Sequence, residues 1–512
     1  MALLSLAQGT TSLTLPVVFG SLLIISSVVY YLFYKPPFPP NAPKQTSDRW
    51  PLLGSMNFFF RRWDFYQRAF AESSTGNFSF YAGQWPVIAL SGERERKIFF
   101  EHKGLAFAEG YAALLGGSPE VKPDNNVFAE THGGDSAFSR YFTGRLITLL
   151  KGPMLKKGLP QLLLDARASM ERLQANSSGI TDPFESIYRM VFQFTMRTVA
   201  ANEIANDAKQ LEKCLQLFEA IEGATSSWSI AYPWMPVPSK LQRTYGGAQL
   251  YMIFKNIIDD RRKTARREED ALQYLIDNGD SITDILTFVL GSLFAGQLNS
   301  GINAAWILCY LANKPHWLTR VRDEVRTVAN KYVPDSSLPL REKLMHIPIE
   351  AWESEFPTID ICLKDSIRLQ TAGTAFRKNM SGQDIPLASG EVIPNGAYVT
   401  LAAGEMHLNE SIYENPAEWD PARYLPERQE DKRETYAWMG WGVARHPCLG
   451  MRFAKLENNI IVAFFTSYFD EVQLCDQVGN VVDRVPRVNF NNHTAHQTDT
   501  KIYLKYRAGE KQ

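Results

Sequence analysis

The residues best placed for chemistry sit in the decapeptide Trp441–Gly450, WGVARHPCLG, which holds Cys448. Gly442, Pro447 and Gly450 punctuate it as a loop. The run that follows, MRFAKLENNIIVAFFTSYF, has apolar residues at Phe453, Leu456, Ile460 and Ala463, which predicts a long helix. Cys448 therefore stands just ahead of a helix N-terminus. That end offers free N–H groups and the positive pole of the helix dipole, and both favour a thiolate. A lone cysteine is more often a small buried hydrophobe, so its surroundings must decide. The other four cysteines, Cys214, Cys309, Cys362 and Cys475, are far apart and form no CxxC pair. That excludes a zinc ribbon and a disulfide framework and fits a reducing compartment.

Two charged segments precede the loop. In KDSIRL, Lys364–Leu369, Asp365 and Arg368 lie three apart and share a helix face, so they can pair. In WDPARYL, Trp419–Leu425, Arg423 supplies a further cation. The bland alternative is an exposed ion pair worth about 0–1 kcal/mol. Further upstream, Asp284 to Ala312 is apolar nearly all round and reads as a buried core helix. Gln297, Asn299 and Asn303 at its centre argue against a membrane span. Its glycines Gly291, Gly296 and Gly301 each weaken a helix by about 0.5–1 kcal/mol. Such glycines indicate close approach by a flat ligand or by another helix.

In this order the segments resemble the cytochrome P450 family, and the resemblance covers the chain nearly end to end after its first 50 residues. The decapeptide is similar to the haem-ligand loop F-x-x-G-x-R-x-C-x-G, with Trp441 for Phe, Ala444 for the central Gly and His446 for Arg. The resemblance implies that Cys448 is the axial ligand and that His446 bonds a haem propionate. It implies that Trp441 packs near the sulfur and that Gly450 lets backbone donors approach it. A thiolate there pushes electron density to the iron. KDSIRL resembles the E-x-x-R helix with Asp365 for Glu, and Asp365, Arg368 and Arg423 are then a buried network behind the haem loop. Arg377, in TAFRKN, matches a position that reaches a propionate. The family's W-x-x-x-R helix is not visible, and Tyr141, Arg145 and Lys151 stand as alternatives. AGQLNS, Ala295–Ser300, resembles the oxygen-binding segment A/G-G-x-D/E-T-T/S, with Leu298 for the acid and Asn299 for threonine. Ala295 and Gly296 would then line the haem, and Asn299 and Ser300 are the catalytic candidates. Gln297 and the Arg445–His446 pair look like sterol 14-demethylases, whereas the missing acid–alcohol pair looks like fungal secondary-metabolism members.

The fold so implied is mainly α with a small β-rich lobe near the N-terminus, holding haem b between the central helix and the Cys448 loop. The implied activity is monooxygenation of a lipophilic substrate, a terpenoid, steroid or polyketide. Electrons would come from NADPH through a separate cytochrome P450 reductase, with cytochrome b5 as a second donor, since the chain has no flavin or dinucleotide motif. Lys364, Arg452 and Lys455 are candidates for a basic docking face. Leu298 and Asn299 keep open a haem-thiolate isomerase or dehydratase that needs no outside electrons. A non-catalytic haem or lipid carrier is the remaining class.

Composition agrees. Of 512 residues, 45% are hydrophobic and 21% charged, with 54 basic and 55 acidic side chains, so there is no positive field for nucleic acid. Leu13 to Tyr34 is uncharged over 22 residues, which as a helix spans about 30 Å, the thickness of a bilayer core. Residues 1–35 are thus expected to be a single-pass anchor. Lys35, Lys44 and Arg49 follow it, which places the body on the cytoplasmic side, as in the endoplasmic reticulum membrane. Pro36, Pro37, Pro39 and Pro40 predict a stiff spacer within a hinge over 36–50. Residues 51–512 read as one catalytic body, with early strands at Phe78–Ala82 and Val87–Leu90 separated by Gly83 and Pro86. Leu211, Cys214, Leu215 and Phe218 repeat at helical spacing.

Overall fold

The computed structural model describes residues 5–114, 137–371, 373–491 and 499–508. Helices dominate, and the long apolar run forms one of them, Ile282–Asn313. Ser281 caps it, because its hydroxyl accepts from the Asp284 N–H while the Asp284 carboxylate accepts from the Ser281 N–H. This reciprocal box satisfies two donors that a helix start otherwise leaves orphaned. Pro315 opens the next helix, Pro315–Tyr332, at a first-turn position where a missing N–H breaks no bond. Among the described residues, Ile282–Asn313 is the one helix long and apolar enough to suit a bilayer, yet 61% of its most apolar window is buried inside the protein. It is the core helix.

Its glycines divide into two kinds. At Gly301 an added Cβ would lie 2.6 Å from Tyr188 Cδ2, on the helix Pro183–Val199 packed alongside. Gln297 Nε2 donates to the Tyr188 carbonyl at 2.8 Å, locking the same crossing. At Gly296 nothing lies within 4 Å of an added Cβ. Ala295 and Asn299, on the same side of the helix, are exposed in the middle of an otherwise buried element.

The larger sheet runs in the order Phe78–Ala82, Trp85–Leu90, Tyr398–Ala402, Thr374–Asn379, Leu105–Ala106. The lobe expected near the N-terminus is therefore completed by two strands from far downstream. Pro86, read as a separator, lies inside the second strand opposite Tyr81. Pairing on that strand's other side begins only at Val87, so the missing N–H interrupts no ladder there. A second sheet, of Ile180–Thr181, Tyr503–Ala508 and Phe469–Cys475, joins distant segments and is not foreshadowed by local pattern.

The N-terminal segment is a helix, Ser5–Phe33. The prolines after it are extended, but they are strapped to the body rather than free of it. The Pro36 carbonyl accepts from the Tyr81 hydroxyl, and Phe38 packs on the Tyr81 ring at 5.0 Å. The Thr46 N–H donates to the Ser79 carbonyl, and the Ser79 N–H to the Lys44 carbonyl, both at 3.0 Å. The hinge expected over 36–50 thus continues the sheet edge.

Gly301→Ala should lower stability by about 1–3 kcal/mol, the usual penalty for overpacking. Gly296→Ala should match or exceed the wild-type Tm, because alanine is the better helix former. Thermal melts of the two variants check this, and equal losses would mean that both glycines serve packing.

Candidate haem-thiolate site

The Cys448 loop is closed by its own backbone. The Cys448 N–H donates to the Trp441 carbonyl at 2.6 Å, and the Gly442 N–H to the Met439 carbonyl at 2.9 Å. Gly442 has φ 65°, and a Cβ there would sit 2.3 Å from the His446 oxygen, so only glycine fits. Ala444, which stands where the family pattern has glycine, also has positive φ, 53°. That conformation costs an L-residue about 1–2 kcal/mol. The loop delivers the chain to Met451–Tyr468, whose Phe453, Leu456, Ile460 and Ala463 are buried as their spacing predicts. Cys448 is exposed, and the Gly450 and Met451 N–H groups reach its sulfur. Lost solvation raises the thiol above its ordinary range, and those two donors offset only part of that rise.

Beside the loop is a positive rim. Arg377 is 3% exposed, and its Nη1 donates to the Phe376 carbonyl at 2.7 Å. Its guanidinium lies over Phe99 and Phe107, and the His446 ring stacks on Phe107 at 5.0 Å. Burial lowers the Arg377 pKa to about 10; Tyr111 raises it, and Arg445 lowers it further. Among the described residues no carboxylate pairs with Arg377 or Arg445. A buried guanidinium without an anion is strongly unfavourable, so the rim suits a group carrying two carboxylates. Haem b fits these residues. Cys448 would hold its iron, Arg377 with His446 its propionates, and Ala295 and Gly296 would present a flat, open helix face. Trp441 lies 6.4 Å from Trp438, ring to ring, at the start of the loop.

Two of the three alternatives for a further propionate ligand, Tyr141 and Arg145, are engaged elsewhere. The Tyr141 hydroxyl donates to Asp280 at 3.0 Å, and Arg145 forks onto the same carboxylate at 2.6 and 3.0 Å. Lys151 is exposed. The Asn299 amide donates to the Ala295 carbonyl at 3.0 Å, the local back-bond of a mid-helix asparagine. Ser300 is buried, and its hydroxyl meets Glu457 from the helix after the loop. Glu457 is 1% exposed, and burial pushes it up to about 8, so it holds a proton at neutral pH.

Behind the loop, Asp365 and Arg368 pair at 2.8 Å on the helix Pro357–Gln370, and neither side chain is exposed. Asp365 also accepts from the Tyr424 hydroxyl at 3.0 Å and the Asp420 N–H at 2.6 Å. Arg368 spends its other donors on the carbonyls of His407, Pro416 and Glu418. Arg423 joins at 3.8 Å from Asp365, but its close partner is Glu430 at 2.9 Å. Sequence reasoning missed Glu430, His407, Arg96 and Glu457, since no periodicity or spacing distinguishes a buried charge from a solvated one. The basic docking face is neutralised pair by pair: Lys364 bonds Asp431 at 2.7 Å, Arg452 bonds Glu353 at 2.6 Å, and Lys455 bonds Asp360.

A family model described as Cytochrome P450 matches residues 43–483. Cytochrome P450 monooxygenase AacuE of Aspergillus aculeatus is 35% identical over 93% of this chain and 95% of its own. Cytochrome P450 monooxygenase nsrP of Aspergillus novofumigatus is 34% identical over 96% and 95%. The obtusifoliol 14-alpha demethylase of Sorghum bicolor is 25% identical over 63% of each chain. The retinoic-acid-bound cyanobacterial CYP120A1 shares the fold, with a TM-score of 0.69 over 92% of this chain and 100% of that one, at 20% identity.

Arg368→Ala leaves Asp365 buried and uncompensated, a loss of about 3–5 kcal/mol. Haem bound per polypeptide and Tm should both fall, whereas Arg452→Ala, in an exposed pair, should change stability by less than about 1 kcal/mol. Haem content and melting curves of the two variants check the contrast.

Glu457 supplies a pH signature. Its folded pKa is raised from 4.5 to about 8, so the folded state holds a proton that the unfolded chain releases. Stability is then full below about pH 4.5 and is lost as pH rises towards 8, at up to about 1.4 kcal/mol per unit. Glu457→Gln removes that loss, and its Tm advantage should grow from pH 5 to pH 8. Parallel Tm curves for variant and wild type would contradict the buried acid.

Proposed function

The chain belongs to the cytochrome P450 family, and from that premise we propose a membrane-anchored monooxygenase that oxidises a lipophilic terpenoid, steroid or polyketide in secondary metabolism. The observation that carries the reading is the pairing of an exposed Cys448, set among helix N-terminal donors, with a buried Arg377 that meets no carboxylate among the described residues. Haem, when bound, supplies the activation of dioxygen, with one oxygen atom going to substrate and the other to water.

The protein's part is binding, charge and protons. Cys448 donates electron density, and the Gly450 and Met451 N–H groups temper its negative charge. Arg377 would offset the charge of a cofactor carboxylate, and His446 would hydrogen-bond one. Asn299 does not ionise near neutral pH, and Leu298 removes the usual neighbouring acid. Proton delivery therefore falls to ordered water near Asn299 and Ser300. The fungal monooxygenases similar over almost the whole chain support a secondary-metabolite substrate. Electrons are assigned to NADPH through a separate cytochrome P450 reductase, with cytochrome b5 as an auxiliary donor. Leu298 and Asn299 favour, as a second reading, an isomerase that needs neither.

The membrane reading rests on continuity of apolar surface. The described side chains of the N-terminal helix are largely exposed, including Phe19, Ile24 and Ile25. Phe33 at its end packs on Tyr232 at 5.2 Å and Trp234 at 5.8 Å. Trp234, Leu241, Tyr245 and Leu52 leave large apolar groups exposed on the body. A patch of this kind beside an anchor suits a lipid surface, and the endoplasmic reticulum membrane, with the body cytoplasmic, is the assigned location.

Cys448→Ser should abolish the red-shifted Soret band of the reduced carbon-monoxide complex, because a hydroxyl cannot replace the soft sulfur. A variant that keeps the band would remove Cys448 as ligand. In the wild type, product formation should require NADPH and reductase, and undiminished turnover without them would favour the isomerase.

Deleting residues 1–35 should release the body from membranes only in part at low salt, and fully at alkaline pH. A truncated protein that resists alkaline extraction would show a second membrane-spanning segment.

A further inference from the structure

We infer that His407 is a positioning residue for the thiolate loop, a neutral imidazole that ties the loop's entry strand to the buried Asp365–Arg368 pair; the inference rests on Cys448 being the thiolate ligand. His407 ends the short helix Ala403–His407 and has no exposed surface. Its Nε2 accepts from the Met439 N–H at 3.2 Å. Its own carbonyl accepts from Arg368 Nη1 at 2.8 Å. One residue thus bonds the charge network with its backbone and the loop with its ring.

The link is short on both sides. Met439 in turn accepts from the Gly442 N–H at 2.9 Å, and Trp441 accepts from the Cys448 N–H at 2.6 Å. The neighbours of Met439 are also held. The Tyr413 hydroxyl donates to the Ala437 carbonyl at 3.1 Å, and Trp438 Nε1 donates to the Lys364 carbonyl at 3.3 Å. At Gly440 an added Cβ would lie 2.4 Å from Ile367 Cγ2. Residues 437–440 therefore run as a rail along the helix Pro357–Gln370, and His407 grips the backbone donor in its middle.

The role requires one protonation state. Because Nε2 is the acceptor, the ring proton sits on Nδ1, which is buried and makes no hydrogen bond among the described residues. A second proton would destroy the acceptor and add a cation near Arg368 and Arg96. Burial, then Arg368, then Arg96 hold the ring well below its ordinary range, at about 3. A histidine kept neutral in this way serves as a permanent acceptor rather than a switch. An ordinary core histidine would need shape alone, and that difference can be measured.

The test uses the full-length protein carrying haem, with His407→Gln, His407→Asn and His407→Leu. Glutamine can place its amide oxygen near the Nε2 position, asparagine falls short of it, and leucine fills the space without an acceptor. The readouts are haem per polypeptide, Tm, and the fraction of bound haem that gives the red-shifted thiolate band when reduced with carbon monoxide. An unsatisfied Met439 N–H should shift the balance away from thiolate-ligated haem on the order of tenfold in the leucine and asparagine variants. The glutamine variant should stay close to wild type. If the leucine variant fails to fold, the glutamine–asparagine comparison decides. A normal thiolate fraction in the asparagine and leucine variants, or a fall in Tm alone, overturns the inference and leaves a packing role. A glutamine variant as poor as the leucine one, though folded, also overturns it. A wild type without the thiolate band is a different failure, since it removes Cys448 as the ligand.

Discussion

Asp365 and Arg368 are an ion pair with no water on either side chain, and the region behind the thiolate loop is organised by the need to complete it. Removing two charges from water costs several kcal/mol for each, and a single contact does not repay that. The remaining donors and acceptors must therefore be met as well. Asp365 is met by Arg368, Tyr424 and the Asp420 N–H, and Arg368 by three backbone carbonyls between His407 and Glu418. Those carbonyls belong to a stretch with little regular structure. The pair can be satisfied only when that stretch is folded against it, so one interaction fixes an otherwise irregular segment. The segment then presents His407 and Tyr413 to the loop.

Asp365 meets its two arginines unequally. Its carboxylate serves Arg368 closely and leaves Arg423 at 3.8 Å. Arg423 is completed instead by Glu430 and by the carbonyls of Asn415 and Glu418. The network closes by recruiting another carboxylate rather than by stretching the first.

Arg377 follows the opposite logic. It is buried with aromatic rings and one backbone carbonyl and, among the described residues, with no acid. Asp365 and Arg368 meet every charge partner they need, whereas among the described residues this guanidinium meets no anion. Two buried arginines in one domain thus differ: Arg368 is paired with a carboxylate and Arg377, among the described residues, is not. The core helix shows the same division on one element. Gly301 and Gln297 lock it to Tyr188, whereas Ala295, Gly296 and Asn299 lie on a more open face of the same stretch.

Local chemistry alone was enough to read several parts of this protein. The long helices are legible because their apolar spacing and caps, such as Ser281 with Asp284, act within a few residues. The Cys448 loop is legible because Gly442 and the order of its residues answer to backbone geometry. Asp365 and Arg368 are legible as a pair because helical spacing puts them on one face. Burial could not be read in the same way, since a carboxylate looks the same in water and in a core. Only the tertiary structure separated Arg368 from the exposed Arg452, and gave Arg423 to Glu430. Only it turned Arg145 to Asp280, because that choice depends on what a distant segment brings within 3 Å. The sheet strands at 374–402 and the His407 clamp lie beyond local pattern for the same reason. Their partners are far away in the chain, and the free energy that selects them is that of burying polar groups only where the whole fold can satisfy them.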